Sequence, residues 1–252
     1  MQTHSEYTIE VQNLNKQYKG ATHPALNGLS LKIRPGEIFG LLGPNGAGKT
    51  TAVSILSTIL PVASGNVTIC GINIFHHPMR ARRLIGLVPQ EIALYPELTA
   101  RENLAFFGRL YGLRGKQLNT RIEISLQAVG LEAKAQQKIS TYSGGMKRRT
   151  NLAVGLIHAP RVLLLDEPTV GIDAQSRQMI LDKLREIRKQ GTAILYTTHY
   201  MEEAQQLCDR VAIMDRGRIL CQGTPRQVIN AQPQCRDLGE LFLHLTGKEL
   251  RD

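Results

Sequence analysis

Apolar and polar positions along this chain follow two different rhythms, and the rhythm separates strands from helices. Residues 7–11 and 29–33 alternate one by one, as half-buried strands do. Ile38–Leu42, Ile85–Val88 and residues 162–165 are instead continuously apolar and short, the pattern of strands covered on both faces. Pro35-Gly36 supplies a turn into the first of these, and residues 66–70 read as a further strand. Residues 51–56 follow as a helix that Pro61 is expected to end. From Thr99 the period lengthens. Thr99 and Glu102 have the spacing of a capping box, and Leu104, Phe107 and Tyr111 recur at helical intervals. Residues 99–158 read as mainly helical, in pieces separated by glycines.

Strand and helix then alternate again. Residues 174–190 place Ile180, Leu184 and Ile187 on one helical face, with Gly191 beyond the end, and residues 192–198 form a strand. Apolar runs at 211–214 and 219–221 flank Asp215-Arg216-Gly217-Arg218, a hairpin turn. Leu238, Leu241, Phe242 and Leu245 make a short amphipathic helix, expected to pack on its own domain, with a membrane or partner contact as the alternative. Such alternation predicts an α/β fold, a largely parallel sheet covered on both faces and carrying a helical insertion.

Between the strand Ile38–Leu42 and the next helix lies Gly43-Pro44-Asn45-Gly46-Ala47-Gly48-Lys49-Thr50, which fits G-x-x-x-x-G-K-[ST]. Glycines let successive N–H groups turn inward onto phosphate oxygens, Lys49 reaches the outer phosphates, and the Thr50 hydroxyl suits Mg²⁺. The positive end of the helix that begins at Thr51 faces the same phosphates. The apolar run 162–165 ends in Asp166-Glu167. An aspartate at the carboxyl edge of a parallel sheet suits a second Mg²⁺ position, and Glu167 is placed to orient or deprotonate an attacking water.

Composition changes this picture little. The chain has 252 residues, 42% hydrophobic and 21% charged, enough for one large globular domain. No apolar run approaches the ~18 residues of a membrane span, and the first residues lack the basic and apolar stretches of a leader. Cys70, Cys208, Cys221 and Cys235 show no metal or redox spacing, which suits reduced thiols in the cytosol. With 31 basic and 21 acidic residues the net charge is +10, compatible with nucleic acid, an anionic membrane face or an acidic partner. The clusters at 80–83 and 147–149 have few aromatics between them, which argues mildly against single-stranded nucleic acid.

With these motifs in order, the chain resembles the nucleotide-binding domain of ATP-binding cassette (ABC) proteins over roughly residues 7–225. Tyr142-Ser143-Gly144-Gly145-Met146 resembles the family's signature, Gln90 its Q-loop, Gly171-Ile172-Asp173 its D-loop and His199 its switch histidine. Tyr18 stands where the family stacks an aromatic ring on adenine. Tyr142 and Met146 depart from the usual Leu and Gln, and Val170-Gly171-Ile172-Asp173 from the usual Ser-Ala-Leu-Asp. Together with Lys147-Arg148-Arg149 they resemble the exporter subgroup for drugs, lipids, polysaccharides or haem.

The resemblance implies a P-loop NTPase fold with a mostly parallel central sheet and an N-terminal antiparallel β-subdomain. It implies a single domain over 1–252: an α/β core at 1–90 and 159–225, a helical subdomain at 91–158, and a C-terminal helical extension at 226–252. It implies an ATPase whose two copies, as a homodimer or with a second ABC subunit, sandwich two ATP molecules. ATP would be held by Tyr18, Gly43 to Thr51, and Ser143, Gly144 and Gly145 of the opposite copy; Mg²⁺ by Thr50, Gln90 and Asp166. Glu167, His199, Gln90 and Lys49 would serve hydrolysis. A membrane permease is the implied partner, with no nucleic acid expected, and the implied location is the inner face of the cell membrane. A soluble ABC ATPase acting on nucleic acid or the ribosome is the rival reading, and a P-loop kinase a third. The strip 91–98 is expected to be apolar and exposed, with Ile92, Leu94 and Tyr95 as anchors for the permease, or else to pack within its own domain.

Overall fold

The computed structural model describes residues 6–247, so the leader reading at residues 1–5 and the last residues of the extension lie outside it. In chain order the strands and helices begin with β1 (Ile9–Lys16), β2 (Leu26–Ile33), β3 (Ile38–Leu42), α1 (Lys49–Leu56), β4 (Ser64–Ile69), β5 (Ile72–Asn73), α2 (Pro78–Arg82) and β6 (Ile85–Val88). A helical stretch follows: α3 (Ala100–Leu110), α4 (Gly115–Ala128) and α5 (Gly144–Leu156). The chain returns with β7 (Val162–Asp166), α6 (Ala174–Lys189), β8 (Ala193–Thr198), α7 (Met201–Leu207), β9 (Arg210–Asp215), β10 (Arg218–Gly223), α8 (Pro225–Asn230) and α9 (Leu238–Thr246).

The central sheet runs β10-β9-β3-β8-β7-β6, and every pairing is parallel except that of β10 with β9. A second, antiparallel sheet runs β2-β1-β4-β5. The continuous apolar runs have a direct cause: the central sheet divides two cores. Ile38, Leu42, Leu163, Leu165, Ile194 and Tyr196 face the helices, while Phe39, Leu41, Val162, Leu164, Ala193 and Leu195 face α1 and the antiparallel sheet. Alternate residues of one strand therefore both lose water, and neither position tolerates charge. The parallel order leaves the carboxyl ends of β3, β6, β7 and β8 at one edge, where loops carry the polar motifs.

Several boundaries differ from the sequence reading for local reasons. The first strand starts at Ile9 and runs to Lys16; Asn13 takes a left-handed φ of 49° and register shifts follow, which hides the later alternation. Pro61 does not end α1. The helix stops at Leu56, where Thr58 turns left-handed with φ 63° and its N–H returns to the carbonyl of Ile55. The capping box is present, with Thr99 N–H donating to the Glu102 carboxylate at 2.8 Å and Glu102 N–H to Thr99 Oγ1 at 3.1 Å. The hairpin turns on Arg216 and Gly217, both at positive φ, the two-residue geometry that matches strand twist. The C-terminal helix α9 packs on α7 and α8 and buries Leu238, Leu241 and Phe242, in keeping with packing on its own domain. Among the described residues no helix is long and apolar enough to cross a membrane.

Candidate functional site

The loop after β3 enters α1 through Gly48, whose φ is 109°; a Cβ there would meet the Ala25 carbonyl at 2.4 Å. Backbone conformation and crowding both require glycine. No side chain caps α1, so its first N–H groups open onto the loop. Lys49 is 4% exposed, and its ammonium donates to the carbonyls of Gly43 at 2.8 Å and Pro44 at 3.3 Å. It also lies 3.1 Å from Glu167 Oε1.

Glu167, 5% exposed, is where the separate motifs meet. Its other carboxylate oxygen lies 3.2 Å from His199 Nδ1, a contact not aligned as a hydrogen bond, and accepts from Gln90 Nε2 at 3.5 Å. These groups come from the ends of β7, β8 and β6 and from the start of α1. Glu167 holds a left-handed φ of 48°, rare for a residue with a side chain, at a cost of about 1–3 kcal/mol. Its N–H donates to the carbonyl of Thr197 at 3.2 Å and to Thr197 Oγ1 at 3.1 Å, and the Thr197 hydroxyl donates to Asp166 Oδ1 at 2.7 Å. One threonine on β8 thus holds the Asp166 carboxylate at the end of β7 and the backbone of Glu167 just beyond it.

Tyr18, the residue matched to adenine stacking, is partly exposed beside α1, with its hydroxyl 3.2 Å from Thr51 Oγ1. Thr50 and Asn45 are exposed, and a Cβ at Gly46 would meet nothing within 4 Å. Asp173 caps α6 by accepting the Ser176 N–H at 2.8 Å, which holds its carboxyl below the usual range.

Ser143 and Gly144 are exposed at the start of α5, where Ser143 Oγ accepts the Met146 N–H at 3.2 Å. No hydrogen bond or ion pair among the described residues joins Ser143, Gly144 or Gly145 to the Lys49–Glu167 set. Gly145 faces inward: a Cβ there would lie 2.1 Å from Ser176 Oγ, so its glycine serves the packing of α5 on α6. The unusual Tyr142 is buried, its hydroxyl donating to the Lys134 carbonyl at 2.7 Å, and Met146 packs on the helical core. Both departures from the usual signature therefore serve packing.

The strip 91–98 divides. Leu94 packs against the core and Ile92 is half-buried, so Leu94 is not the free anchor expected of it. Tyr95 is 47% exposed, its backbone pinned by the buried Asn103 and its ring set edge-on to Phe106 at 4.9 Å. Phe106 and Leu110, 68% exposed, extend the apolar surface along α3.

Sequence reasoning missed Thr197, because its role depends on which strand lies beside β7. It also missed a buried cluster behind His199, where Glu203 Oε2 accepts from Tyr196 at 2.6 Å and Thr169 at 2.7 Å. Burial and the Glu203 charge push the Tyr196 phenol well above its usual pKa, so it remains a donor. The groups are distant in sequence and no local pattern marks them.

Comparison with known proteins identifies the family. The profile of the family described as ABC transporter matches residues 26–170. The chain is 48% identical over 216 residues to the linearmycin resistance ATP-binding protein LnrL of Bacillus subtilis, covering 86% of this chain and 69% of that protein. It is 43% identical over 237 residues to the Nod factor export ATP-binding protein I of Paraburkholderia xenovorans, covering 94% and 77%. Among solved structures, an ATP-binding subunit of an ABC transporter superposes with a TM-score of 0.85 at 28% identity, covering 95% of this chain and 99% of the other. A dimeric cassette in a post-hydrolysis state bound to ADP and Pi gives 0.78 at 27% identity, covering 86% and 98%.

Proposed function

Because this chain belongs to the ABC transporter family, we propose that it is the ATP-hydrolysing subunit of an exporter, working as a dimer on the cytoplasmic face of a membrane permease. The observation that carries the proposal is the convergence of Lys49, His199 and Gln90 on the Glu167 carboxylate. Four motifs spread through the chain have no structural reason to meet at one buried acid, and hydrolysis supplies one. The names of the relatives, resistance and export, support the direction of transport.

On this reading the backbone of residues 43–51 cradles the phosphates and Tyr18 stacks on the base. Lys49 exchanges Glu167 for phosphate oxygens. Glu167, released from that pair and fixed by Thr197, accepts a proton from the attacking water, while His199 and Gln90 face the outer phosphate. One carboxylate, Asp166, with Thr50 and Gln90 suits Mg²⁺, which takes few protein ligands beside substrate phosphates. Among the described residues there is no cluster of three or more His, Cys, Asp or Glu that would make an all-protein cage. When bound, the ion would neutralise phosphate charge. Ser143 and Gly144, both exposed, would meet the phosphates of the opposite copy.

We take the chain as a core at 1–90 and 159–225, a helical subdomain at 91–158 and an extension at 226–252, with the coupling surface on the helical part. Tyr95, Phe106 and Leu110 form the patch against which a permease helix would dock.

The test is Lys49→Ala. It removes the charge-assisted contacts to phosphate, and both ATP affinity and turnover should fall, turnover by roughly 10²-fold or more. Nucleotide titration and phosphate release measure the two; an unchanged rate would remove the assignment.

A further inference from the structure

Arg148 lies in the second turn of α5, just past the Ser143 cap, and its guanidinium spans two loops that leave different strands. One terminal nitrogen donates to the Gln90 carbonyl, beyond β6. The other donates to the Val170 carbonyl, beyond β7, at 3.4 Å. Almost one turn further along α5, the buried Asn151 grips the first loop again. Its amide donates to the Pro89 carbonyl at 3.3 Å and accepts the Ala93 N–H at 3.4 Å. Asn151 thus fixes the Gln90 loop to α5, and Arg148 extends the tie to the loop of Gly171.

Both acceptors lead to Glu167. The Gln90 side chain donates to its carboxylate at 3.5 Å. Val170 closes a turn on it, with the Val170 N–H donating to the Glu167 carbonyl at 3.4 Å. Burial lowers the pKa of Arg148 while the Glu167 charge acts in the opposite sense, so the guanidinium feels that carboxylate. The planar fork aims two donors in fixed, diverging directions; a lysine offers one compact charge and cannot hold both carbonyls with the same geometry.

We propose that Arg148 is a positioning residue for hydrolysis: it binds the Gln90 loop and the Gly171 loop to the helix capped by Ser143, so that all three respond to nucleotide as one unit. The proposal rests on the ATPase reading above. Without Arg148, nucleotide still binds and the Gln90 loop stays held by Asn151, but the turn at Glu167 is no longer tied to it. A catalytic group displaced by about 1 Å can cost 10²-fold in rate.

The experiment compares wild type, Arg148→Met and Arg148→Lys, with Lys49→Ala alongside. Affinity for a fluorescent ATP analogue and KM should stay within about twofold, while kcat falls roughly 10- to 100-fold in Arg148→Met and less in Arg148→Lys. Hydrogen exchange with a slowly hydrolysed ATP analogue gives the readout that a merely structural role would not move. In wild type the analogue should slow exchange at Ala93 and at Gly171-Ile172 together; in Arg148→Met it should slow only the first. If Arg148→Met does not fold, Arg148→Lys carries the same comparison, since it keeps the charge. A kcat within twofold of wild type in the folded variants, or slowing at both loops despite the substitution, overturns the proposal. Should Lys49→Ala itself remain active, the ATPase reading falls and this inference with it; an inactive Lys49→Ala beside a normal Arg148→Met rejects the inference alone.

Discussion

At the scale of single residues, the chemistry was legible wherever a polar residue interrupts an apolar strand at its carboxyl end. Asp166-Glu167 after 162–165 and His199 after the strand before it are such positions, and the structure sets Glu167 and His199 3.2 Å apart. Lys49 was legible from glycine spacing alone. Arg148 was not, because its two acceptors lie 58 and 22 residues away, and in sequence it is one of three consecutive basic residues. Thr197 was hidden similarly, as its partners sit on the neighbouring strand.

His158 shows how burial writes a pH response into one side chain. It stacks on Tyr111 at 3.6 Å, and Nε2–H donates to the Ile85 carbonyl at 3.0 Å. Nδ1 is buried without a hydrogen-bond partner, so a second proton there finds no acceptor. Burial chiefly lowers its pKa from 6.5 to about 4, the Ile85 carbonyl opposing and Arg121 assisting. Between these values the unfolded chain binds more protons than the folded one, so stability is full above pH 6.5 and is lost as pH falls toward 4. Allowing for partial exposure, the contribution is on the order of 2–3 kcal/mol. His158→Gln, which keeps a donor for Ile85, should flatten the slope of denaturant-derived stability between pH 6.5 and 4. An unaltered slope would assign that response to other groups.

At the scale of elements, strands and long helices followed from periodicity because each is apolar on a face that the fold covers. What escaped was short or irregular: α2, α7 and α8 have too few residues for a period to show. Left-handed residues without glycine, Asn13 and Thr58, shifted boundaries that composition could not signal. The strip at 91–98 combines its two expected fates: Leu94 packs inward while Tyr95 stays out. Which side a loop residue takes depends on Asn103, whose side chain holds the Tyr95 backbone from α3.

That division sharpens the docking prediction. Tyr95→Glu leaves the Asn103 bonds to the backbone and removes an edge-on aromatic pair worth about 0.5–1.5 kcal/mol. The free subunit should keep near wild-type ATPase and lose only a few degrees in Tm. Co-purification with the permease and transport should both fall. Loss of the free subunit's own activity would instead make Tyr95 part of its core.

At the scale of the whole molecule, two cores pack on opposite faces of one sheet and leave its catalytic edge open. Ser143 and Gly144 are exposed, and the Ser143 hydroxyl is engaged in capping α5. On the proposed reading, two copies arranged head to tail would bring the Ser143 segment of each to the phosphate loop of the other. Glu167→Gln tests this pairing. The amide should keep nucleotide binding and lose the proton acceptor, so turnover falls roughly 10²–10⁴-fold and the ATP-bound pair persists. Light scattering of Glu167→Gln with ATP and Mg²⁺ should then show a mass twice that of the 28.0 kDa chain, returning to a single copy with ADP. A variant that stays monomeric with saturating ATP, and hydrolyses it at the wild-type rate, contradicts the account.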